Sequence, residues 1–261
     1  ASRGLGDVYK RQRPILVILS GKYFGEASKP VLYAGAAIEL LHNASLIHDD
    51  VIDESRERRG LPTINRVWDN HIAVLVGDFF VSGALHCAEF TKDFRVITAM
   101  SSLGRALSLG EIEQIDNARS RSVDEETYIN IIRKKTASLF CSCVQVGGYA
   151  AGAPEDQLRD LMAYAELLGI CFQIKDDIFD YFDNKEVGKP TGNDLREGKM
   201  TLPLIYALSK TDAPRHSEMV ELSHKDILEP SDIATLIEYA KEQGGIDYAY
   251  ARMEQLKQQA D

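Results

Sequence analysis

Apolar and polar positions along most of this chain follow the period of an α-helix. In residues 31–52, apolar side chains recur three or four positions apart, as at Leu40, Ala44, Ile47 and Val51. That spacing places them on one helix face. The same pattern predicts further helices at 72–90, 96–116, 125–150, 155–182, 202–210 and 230–243. Runs with the two-residue period of a β-strand are nearly absent.

Helix-breaking residues separate these segments, for instance at 60–62, 152–154 and 188–190, and Asp124 stands where a helix would begin. We therefore predict an all-α fold, a single-domain helical bundle. Residues 1–12 lack the helical pattern, so we expect them to be a non-native leader and the domain to occupy 13–261.

The composition is that of a folded protein whose partners are not nucleic acids. Hydrophobic residues make up 44% of the 261 residues, enough for a sizeable core, and the formal net charge is −10. The four cysteines form no CxxC pair, which favours free thiols in a reducing cytoplasm. The apolar run at 72–88 is interrupted by Asp78 and two glycines, so we predict a buried core helix rather than a transmembrane segment.

Two stretches carry the same unusual arrangement of acids. "LIHDDVIDESRERRG" (46–60) and "FQIKDDIFD" (172–180) each place three aspartates at i, i+1 and i+4 among apolar residues. Residues at i and i+4 share a helix face, so these carboxylates repel one another unless a cation lies between them. Mg²⁺ is the natural candidate, because it binds one or two carboxylates together with substrate phosphates. The predicted metal ligands are Asp49, Asp50, Asp53, Asp176, Asp177 and Asp180.

Basic residues accompany both acidic stretches. Two adjacent arginines follow the first, lysines including Lys189 and Lys199 follow the second, and "NIIRKKTASLF" places a Lys-Thr pair in a predicted helix. Cationic donors beside metal-binding carboxylates suit a metal-bridged diphosphate. These residues are Arg58, Arg59, Lys135, Thr136, Lys189 and Lys199.

From residue 13 to about 208 the sequence resembles the trans-polyprenyl diphosphate synthases of the all-α isoprenoid synthase family, of the medium- or long-chain octaprenyl type. The resemblance rests on the two aspartate-rich stretches and on "GKPTGNDLREGKMTLP" after the second. It implies a bundle with a central active-site cavity, a homodimer, and condensation of isopentenyl diphosphate with an allylic diphosphate such as farnesyl diphosphate.

The resemblance also implies roles for matching residues. Asp49, Asp53 and Asp176 would be the main Mg²⁺ ligands, and the other three aspartates would assist. The allylic diphosphate would be held by Arg58, Lys135, Gln173, Lys189 and Lys199, with Thr136 beside the reacting carbon. Isopentenyl diphosphate would be held by Arg13, His42 and Arg59, and Lys10 falls in register with a family lysine.

The implied reaction is ionisation of the allylic diphosphate, condensation, and loss of a proton. It needs no general base from a side chain, which fits a sequence without a Ser/His/Asp or Cys/His arrangement. Family members usually carry Gly-Gly-Lys before Arg-Pro, where this chain has Val8–Gln12 before Arg13. They also extend further at both ends, so we expect this chain to be truncated.

Small residues just before the first motif predict a product longer than C15. Ala44 and Ser45 stand where short-chain family members tend to place an aromatic floor for the product tunnel. Alternatively, they only allow helices to pack closely, and Phe79 or Phe80 supplies the floor.

Three other functions remain open. A class I terpene cyclase shares the fold but usually has a different second motif. A non-catalytic subunit of a heteromeric synthase tends to lose its acidic motifs. A Mg²⁺-dependent phosphohydrolase would use the acids and bases but not an apolar tunnel.

Overall fold

The protein is mainly helical in the parts that its computed structural model describes, residues 12–58, 60–120, 124–182, 191–225 and 227–260. Helices α1–α5 are Gln12–Phe24, Lys29–Ile52, Ile64–Val67, Asn70–Glu89 and Phe94–Ser120. Helix α6 is Glu125–Ile132, and a π-helical turn, Arg133–Ala137, joins it to α7, Ser138–Ala150. Helices α8–α13 are Glu155–Phe179, Asn193–Arg196, Leu202–Ser209, His216–Ser223, Pro230–Glu242 and Gly245–Ala260. Strands β1, Glu57–Arg58, and β2, Leu61–Pro62, form a short antiparallel pair.

The all-α prediction is confirmed, and the predicted long helices are found within a few residues of their expected bounds. The proposed start at Asp124 is confirmed, because its carboxylate accepts a hydrogen bond of 2.7 Å from the Thr127 backbone N–H. The sequence pattern missed several elements. It gave no sign of the π-helical turn inside 125–150, and it did not predict α13, whose sequence is largely polar. It also left out the β1–β2 pair and four further helices, α1, α3, α9 and α11.

The chain divides into two compact units. The first consists of residues up to Leu107 together with Ser138–Ala165, and the second of Ser108–Ala137 together with Glu166–Asp261. In the first unit, α2 packs against α4, α1 and α7, and its core contains Val17, Ile38 and Leu103. Gly77 of α4 lies against α2 so closely that an added Cβ would stand 2.1 Å from His48 Nε2. This contact fixes α4 beside the end of α2 that carries the first acidic motif.

Helix α4 is not the buried core helix that its composition predicted. Its buried residues are Ala73, Gly77, Ala84 and Ala88, whereas Leu75 is 62% exposed and Phe79 is 75% exposed. The small residues make the contact with the unit because they allow close approach, and the large apolar residues point outward. By length and composition alone, this helix could also cross a membrane, with 22% of its most apolar window buried. Core helices of many proteins pass the same test.

The second unit has two apolar clusters. One gathers Ile170, Ile174 and Ile178 of α8 against Leu202 of α10 and Ala249 of α13. The other is built around Leu204, Met219, Leu236 and Tyr239. Because Ile174 and Ile178 are one helical turn apart and fully buried, they hold α8 in a fixed rotation. This rotation sets the direction of the intervening aspartates of the second motif.

Candidate functional site

The first acidic motif lies at the C-terminal end of α2, in the first unit. Asp49 and Asp50 belong to the last turn, and Asp53 follows it, its backbone N–H bonded to the Asp49 carbonyl at 2.8 Å. The negative end of a helix dipole disfavours carboxylates, so three of them here require compensating cations. Asp49 is half-buried and Asp53 is exposed. These two carboxylates fit the expected metal ligands in their chemistry.

Asp50 is buried, and its carboxylate forms an ion pair with Arg58. Its Oδ1 accepts hydrogen bonds from both Nε and Nη2 of Arg58, at 2.8 and 2.7 Å. Arg58 is held in place by the β1–β2 pair, in which Gly60 takes a positive φ of 77° that suits glycine. The Asn65 amide also donates to the Asp50 backbone carbonyl at 3.1 Å. Arg58 and Asp50 therefore neutralise each other in this state.

The remaining predicted residues of this unit are Arg13 of α1 and His42 of α2, and both are half-buried. His42 precedes Asp49 by two helical turns on the same helix. Lys10 and Arg59 lie outside the described residues, as does Lys189 beyond the second motif. Sequence reasoning passed over His48, whose Nε2 lies 3.3 Å from the Val74 carbonyl and 3.4 Å from Asp78 Oδ1.

The three aspartates of the second motif, in the second unit, have distinct environments. Asp176 is exposed, Asp177 is buried, and Asp180 is half-buried. The two oxygens of Asp180 accept hydrogen bonds from the backbone N–H groups of Asn193 and Asp194, at 3.1 and 3.0 Å. Asp180, which directly follows α8, thus holds the first residues of α9.

Asp177 accepts one hydrogen bond on each carboxylate oxygen. Tyr128 Oη donates to Oδ2 at 2.6 Å, and Gln173 Nε2 donates to Oδ1 at 2.7 Å. Burial raises the pKa of Asp177 to about 6 although both hydrogen bonds lower it, and Asp176 and Asp180 raise it further. The pKa of Asp194 is raised to about 8, first by burial and then by the charges of Asp177 and Asp180.

The π-helical turn positions the predicted Lys-Thr pair. Lys135 forms an ion pair with the buried Glu111 of α5 and donates to Gln114 Oε1 at 3.2 Å. Thr136 Oγ1 donates to Gln173 Oε1 at 2.7 Å. π-helical turns inside α-helices are rare and are often found at functional sites, because they redirect side chains that a regular helix would separate.

A cavity of about 170 Å³ in the second unit brings five predicted residues together. They are Lys135, Thr136, Gln173, Asp177 and Lys199. Lys199 donates to Glu197 Oε2 at 2.5 Å. The lining also includes the apolar side chains of Ile131, Ile132 and Met200. The cavity therefore combines cations suited to an anion with an apolar wall suited to a hydrocarbon.

Among the cavity residues that sequence analysis did not single out are polar side chains in or beside the lining: Glu111, Gln114, Tyr128 and Asp194. Asp194 lies in the quoted stretch "GKPTGNDLREGKMTLP", so its acid could have been noticed there. The others belong to α5 and α6, where they are ordinary helix residues in the sequence. Only their long-range contacts, such as Tyr128 with Asp177, distinguish them.

The donor set fits a divalent metal that arrives with a phosphate ligand. Among the residues that the structure describes, no three His, Cys, Asp or Glu side chains are already gathered into a metal-binding group. Mg²⁺ needs no such cage, because it takes one or two carboxylates and completes its shell with water and phosphate oxygens. Asp49, Asp53 and Asp176 offer carboxylates of that kind.

Comparison with known proteins gives concordant results. A family model described as Polyprenyl synthetase matches residues 7–240. Heptaprenyl diphosphate synthase component 2 of Bacillus subtilis (strain 168) is 35% identical over 253 residues, which cover 96% of this chain and 71% of the relative. Octaprenyl diphosphate synthase of Escherichia coli (strain K12) is 37% identical over 212 residues, covering 81% and 65%. This chain thus spans roughly two thirds of these relatives' lengths.

A solved structure supports the same relationship. Polyprenyl synthase from Caulobacter crescentus CB15, complexed with calcium and isoprenyl diphosphate, superposes with a TM-score of 0.86 at 29% identity. The match covers 96% of this chain and 76% of that one. That relative was therefore solved with a divalent cation and a prenyl diphosphate.

Proposed function

This chain belongs to the polyprenyl synthetase family, and on that premise we propose that it is a trans-prenyltransferase. It condenses isopentenyl diphosphate with an allylic diphosphate, and farnesyl diphosphate is the expected primer. The product is a polyprenyl diphosphate longer than C15. The observation that carries the proposal is the cavity in which Lys135, Thr136, Gln173 and Lys199 meet an apolar wall.

Mg²⁺ is the proposed cofactor, with Asp49, Asp53 and Asp176 as its main ligands. When bound, it neutralises the diphosphate and so makes it a better leaving group. Asp50 would contribute once Arg58 turns from its carboxylate to a substrate phosphate, a change that the partial exposure of the Arg58 side chain permits. Asp180 would contribute indirectly, since its carboxylate already accepts hydrogen bonds from the backbone at the start of α9.

The chain's own residues act on the allylic substrate in two ways. Lys135 and Lys199 donate to diphosphate oxygens, together with Arg58 and Lys189, and so stabilise the charge that develops on the leaving group. Ile131, Ile132 and Met200 contact the prenyl chain and keep water away from the reacting carbon. The departing diphosphate takes up the proton lost after condensation.

Isopentenyl diphosphate is assigned to the basic residues of the first unit, Arg13 and His42, with Lys10 and Arg59. The position of His42, two turns before Asp49 on α2, supports this assignment. These basic residues need only bind phosphate oxygens, because the hydrocarbon part of isopentenyl diphosphate needs no polar partner.

A long product is supported by the names of the octaprenyl and heptaprenyl relatives. The small residues of α2 are a weaker support, because Ala44 and Ala37 are fully packed in the first unit. Close helix packing is enough to explain those two positions. Ser45 and Leu41 are half-buried and are better placed to contact a prenyl chain.

A homodimer is proposed from the outward face of α4. Leu75 and Phe79 belong to a row of exposed apolar side chains, which would bury a substantial apolar area against a second copy.

The experiment is incubation with radiolabelled isopentenyl diphosphate and farnesyl diphosphate, with and without Mg²⁺, followed by chromatography of the products. We expect labelled prenyl products longer than C15 that form only with Mg²⁺. A folded chain that forms none would contradict the proposal and favour a non-catalytic subunit. A cyclic hydrocarbon formed from the allylic diphosphate alone would favour a terpene cyclase.

A further inference from the structure

We propose that Tyr128 is a positioning residue for this reaction, acting through Asp177 and Gln173 to fix the hydroxyl of Thr136. In the same arrangement, Asp177 serves as the centre of a hydrogen-bond chain rather than as a metal ligand. The inference rests on the function proposed above and adds a residue that lies outside both acidic motifs.

The four residues form one continuous chain of hydrogen bonds within the second unit. Tyr128 Oη donates to Asp177 Oδ2 at 2.6 Å, Gln173 Nε2 donates to Asp177 Oδ1 at 2.7 Å, and Thr136 Oγ1 donates to Gln173 Oε1 at 2.7 Å. Tyr128 is 4% exposed and Asp177 is 5% exposed. All four residues line the cavity, and the tyrosine and the carboxylate are almost completely shielded from solvent.

The charge of Asp177 sets the direction of every bond in the chain. An ionised carboxylate only accepts, so the Gln173 amide must turn its nitrogen to Asp177 and its oxygen to Thr136. The Thr136 hydroxyl must then donate to that oxygen, which leaves its own oxygen lone pairs available on the cavity side. An oxygen so oriented favours positive charge on a nearby allylic carbon, and its orientation is fixed before the substrate binds.

The hydrogen bond from Tyr128 keeps the Asp177 carboxylate in this chain of hydrogen bonds and away from a metal. The tyrosine hydroxyl occupies Oδ2, and Gln173 occupies Oδ1, so binding a metal would require the carboxylate to give up a short buried bond. Asp176, the adjacent residue, is exposed and needs no such exchange. Without the Tyr128 hydroxyl, Asp177 could rotate toward other donors, and the Gln173 amide would lose its fixed orientation.

The first test is Tyr128→Phe, with Tyr248→Phe as the matched control. Tyr248 Oη donates to the Glu125 carboxylate at 2.5 Å, so the control also removes a tyrosine–carboxylate bond that involves helix α6, but outside the cavity. We expect Tyr128→Phe to lower kcat about ten- to a hundredfold, as small misplacements of catalytic groups do. KM for both diphosphates and the Mg²⁺ concentration for half-maximal rate should not change. The control should keep the wild-type kcat.

Two results of this test would overturn the inference. An unchanged kcat in Tyr128→Phe, with an active wild type, would remove the positioning role. A higher Mg²⁺ concentration for half-maximal rate in Tyr128→Phe would show that Asp177 is a metal ligand and that the tyrosine hydroxyl supports it in that role. An inactive wild type would instead be a failure of the proposed function, which the next measurement separates from this inference.

The second test needs no activity. Urea unfolding of Tyr128→Phe, Thr136→Val and the double variant forms a double-mutant cycle between two residues whose connection runs through Asp177 and Gln173. We expect the two changes in unfolding free energy to be non-additive, because the first substitution already loosens the bond that the second removes. Additive changes would mean that Tyr128 does not act on Thr136. With an active wild type, the same cycle in kcat should likewise be non-additive.

Discussion

At the scale of single residues, the balance of buried charge is the main constraint. Asp50 is a buried carboxylate at the unfavourable end of a helix dipole, and the Arg58 guanidinium offsets both costs. Lys135 and Glu111 stand in the same relation in the second unit. In each case a residue assigned to substrate also stabilises the fold, so activity and stability must be measured together in every variant.

Arg58→Gln should therefore lower the stability of the protein as well as the rate of the proposed condensation. The Asp50 carboxylate would remain buried without its ion pair, at a cost of about 2 kcal/mol in unfolding free energy, since the Arg58 side chain is partly exposed. Urea unfolding measures this loss. Arg56→Gln, which changes an exposed arginine two residues away, is the control. Equal stability of the two variants would contradict the account of Asp50.

Asp93 should make stability depend on acid pH. Its hydrogen bonds with the Arg95 side chain are the main cause of a pKa below the ordinary value of 3.8. Asp93 thus contributes stability that is fully present above 3.8 and is lost as the pH falls through the lowered pKa. The difference in unfolding free energy between wild type and Asp93→Asn should shrink below that pH. A difference that stays constant with pH would argue against this ion pair.

At the scale of elements, small residues decide where helices approach each other. Gly77 lets α4 lie against His48 of α2, and Gly110 lets α5 approach the π-helical turn, where an added Cβ would stand 3.2 Å from the Lys135 backbone nitrogen. Both contacts lie beside residues assigned to the site. The packing of these helices therefore controls the position of the first acidic motif in one unit and of Lys135 in the other.

Gly77→Ala should destabilise the first unit, because its Cβ would overlap the His48 ring. We expect a loss of about 2 kcal/mol in unfolding free energy, typical of overpacking. Gly104→Ala is the control, since nothing lies within 4 Å of its added Cβ and alanine favours a helix more than glycine. His48→Ala should relieve the loss in Gly77→Ala. A loss that persists in this double variant would place the strain elsewhere.

The sequence predicted the elements better than it predicted their faces and breaks. Periodicity located α2, α4 and α8, because each runs for many turns with a regular pattern. It could not reveal that α4 packs through its small residues and exposes Phe79, because a helix that is apolar on several sides does not show which side is covered. The π-helical turn has no pattern of its own, and Tyr128 is separated from Asp177 by 49 positions in the chain.

The metal ligands were predictable only as a set. Their shared spacing identifies both acidic motifs, but it does not show which of the three aspartates in each motif binds a metal. In the second motif, burial and hydrogen bonds separate the exposed Asp176 from the buried Asp177, whose two oxygens both have partners. Those differences come from the packing of α6 against α8, which local spacing does not contain.

At the scale of the whole molecule, the exposed row on α4 predicts self-association. Phe79→Glu should shift the protein from dimer to folded monomer in analytical ultracentrifugation, because a charge would be buried in the interface. Ile227→Glu changes an equally exposed apolar residue outside α4 and should leave the dimer intact. A wild-type protein that is monomeric at all concentrations would contradict the proposed role of this face.

The central claim is that the allylic carbon from which diphosphate departs forms a carbon–carbon bond with isopentenyl diphosphate. The most direct measurement is the ratio of isopentenyl units incorporated to diphosphate released, with farnesyl diphosphate as primer and Mg²⁺ present. Condensation releases one diphosphate for each unit added, so we predict a ratio of about one throughout the reaction. Diphosphate or phosphate released without incorporation would contradict it and indicate a phosphohydrolase.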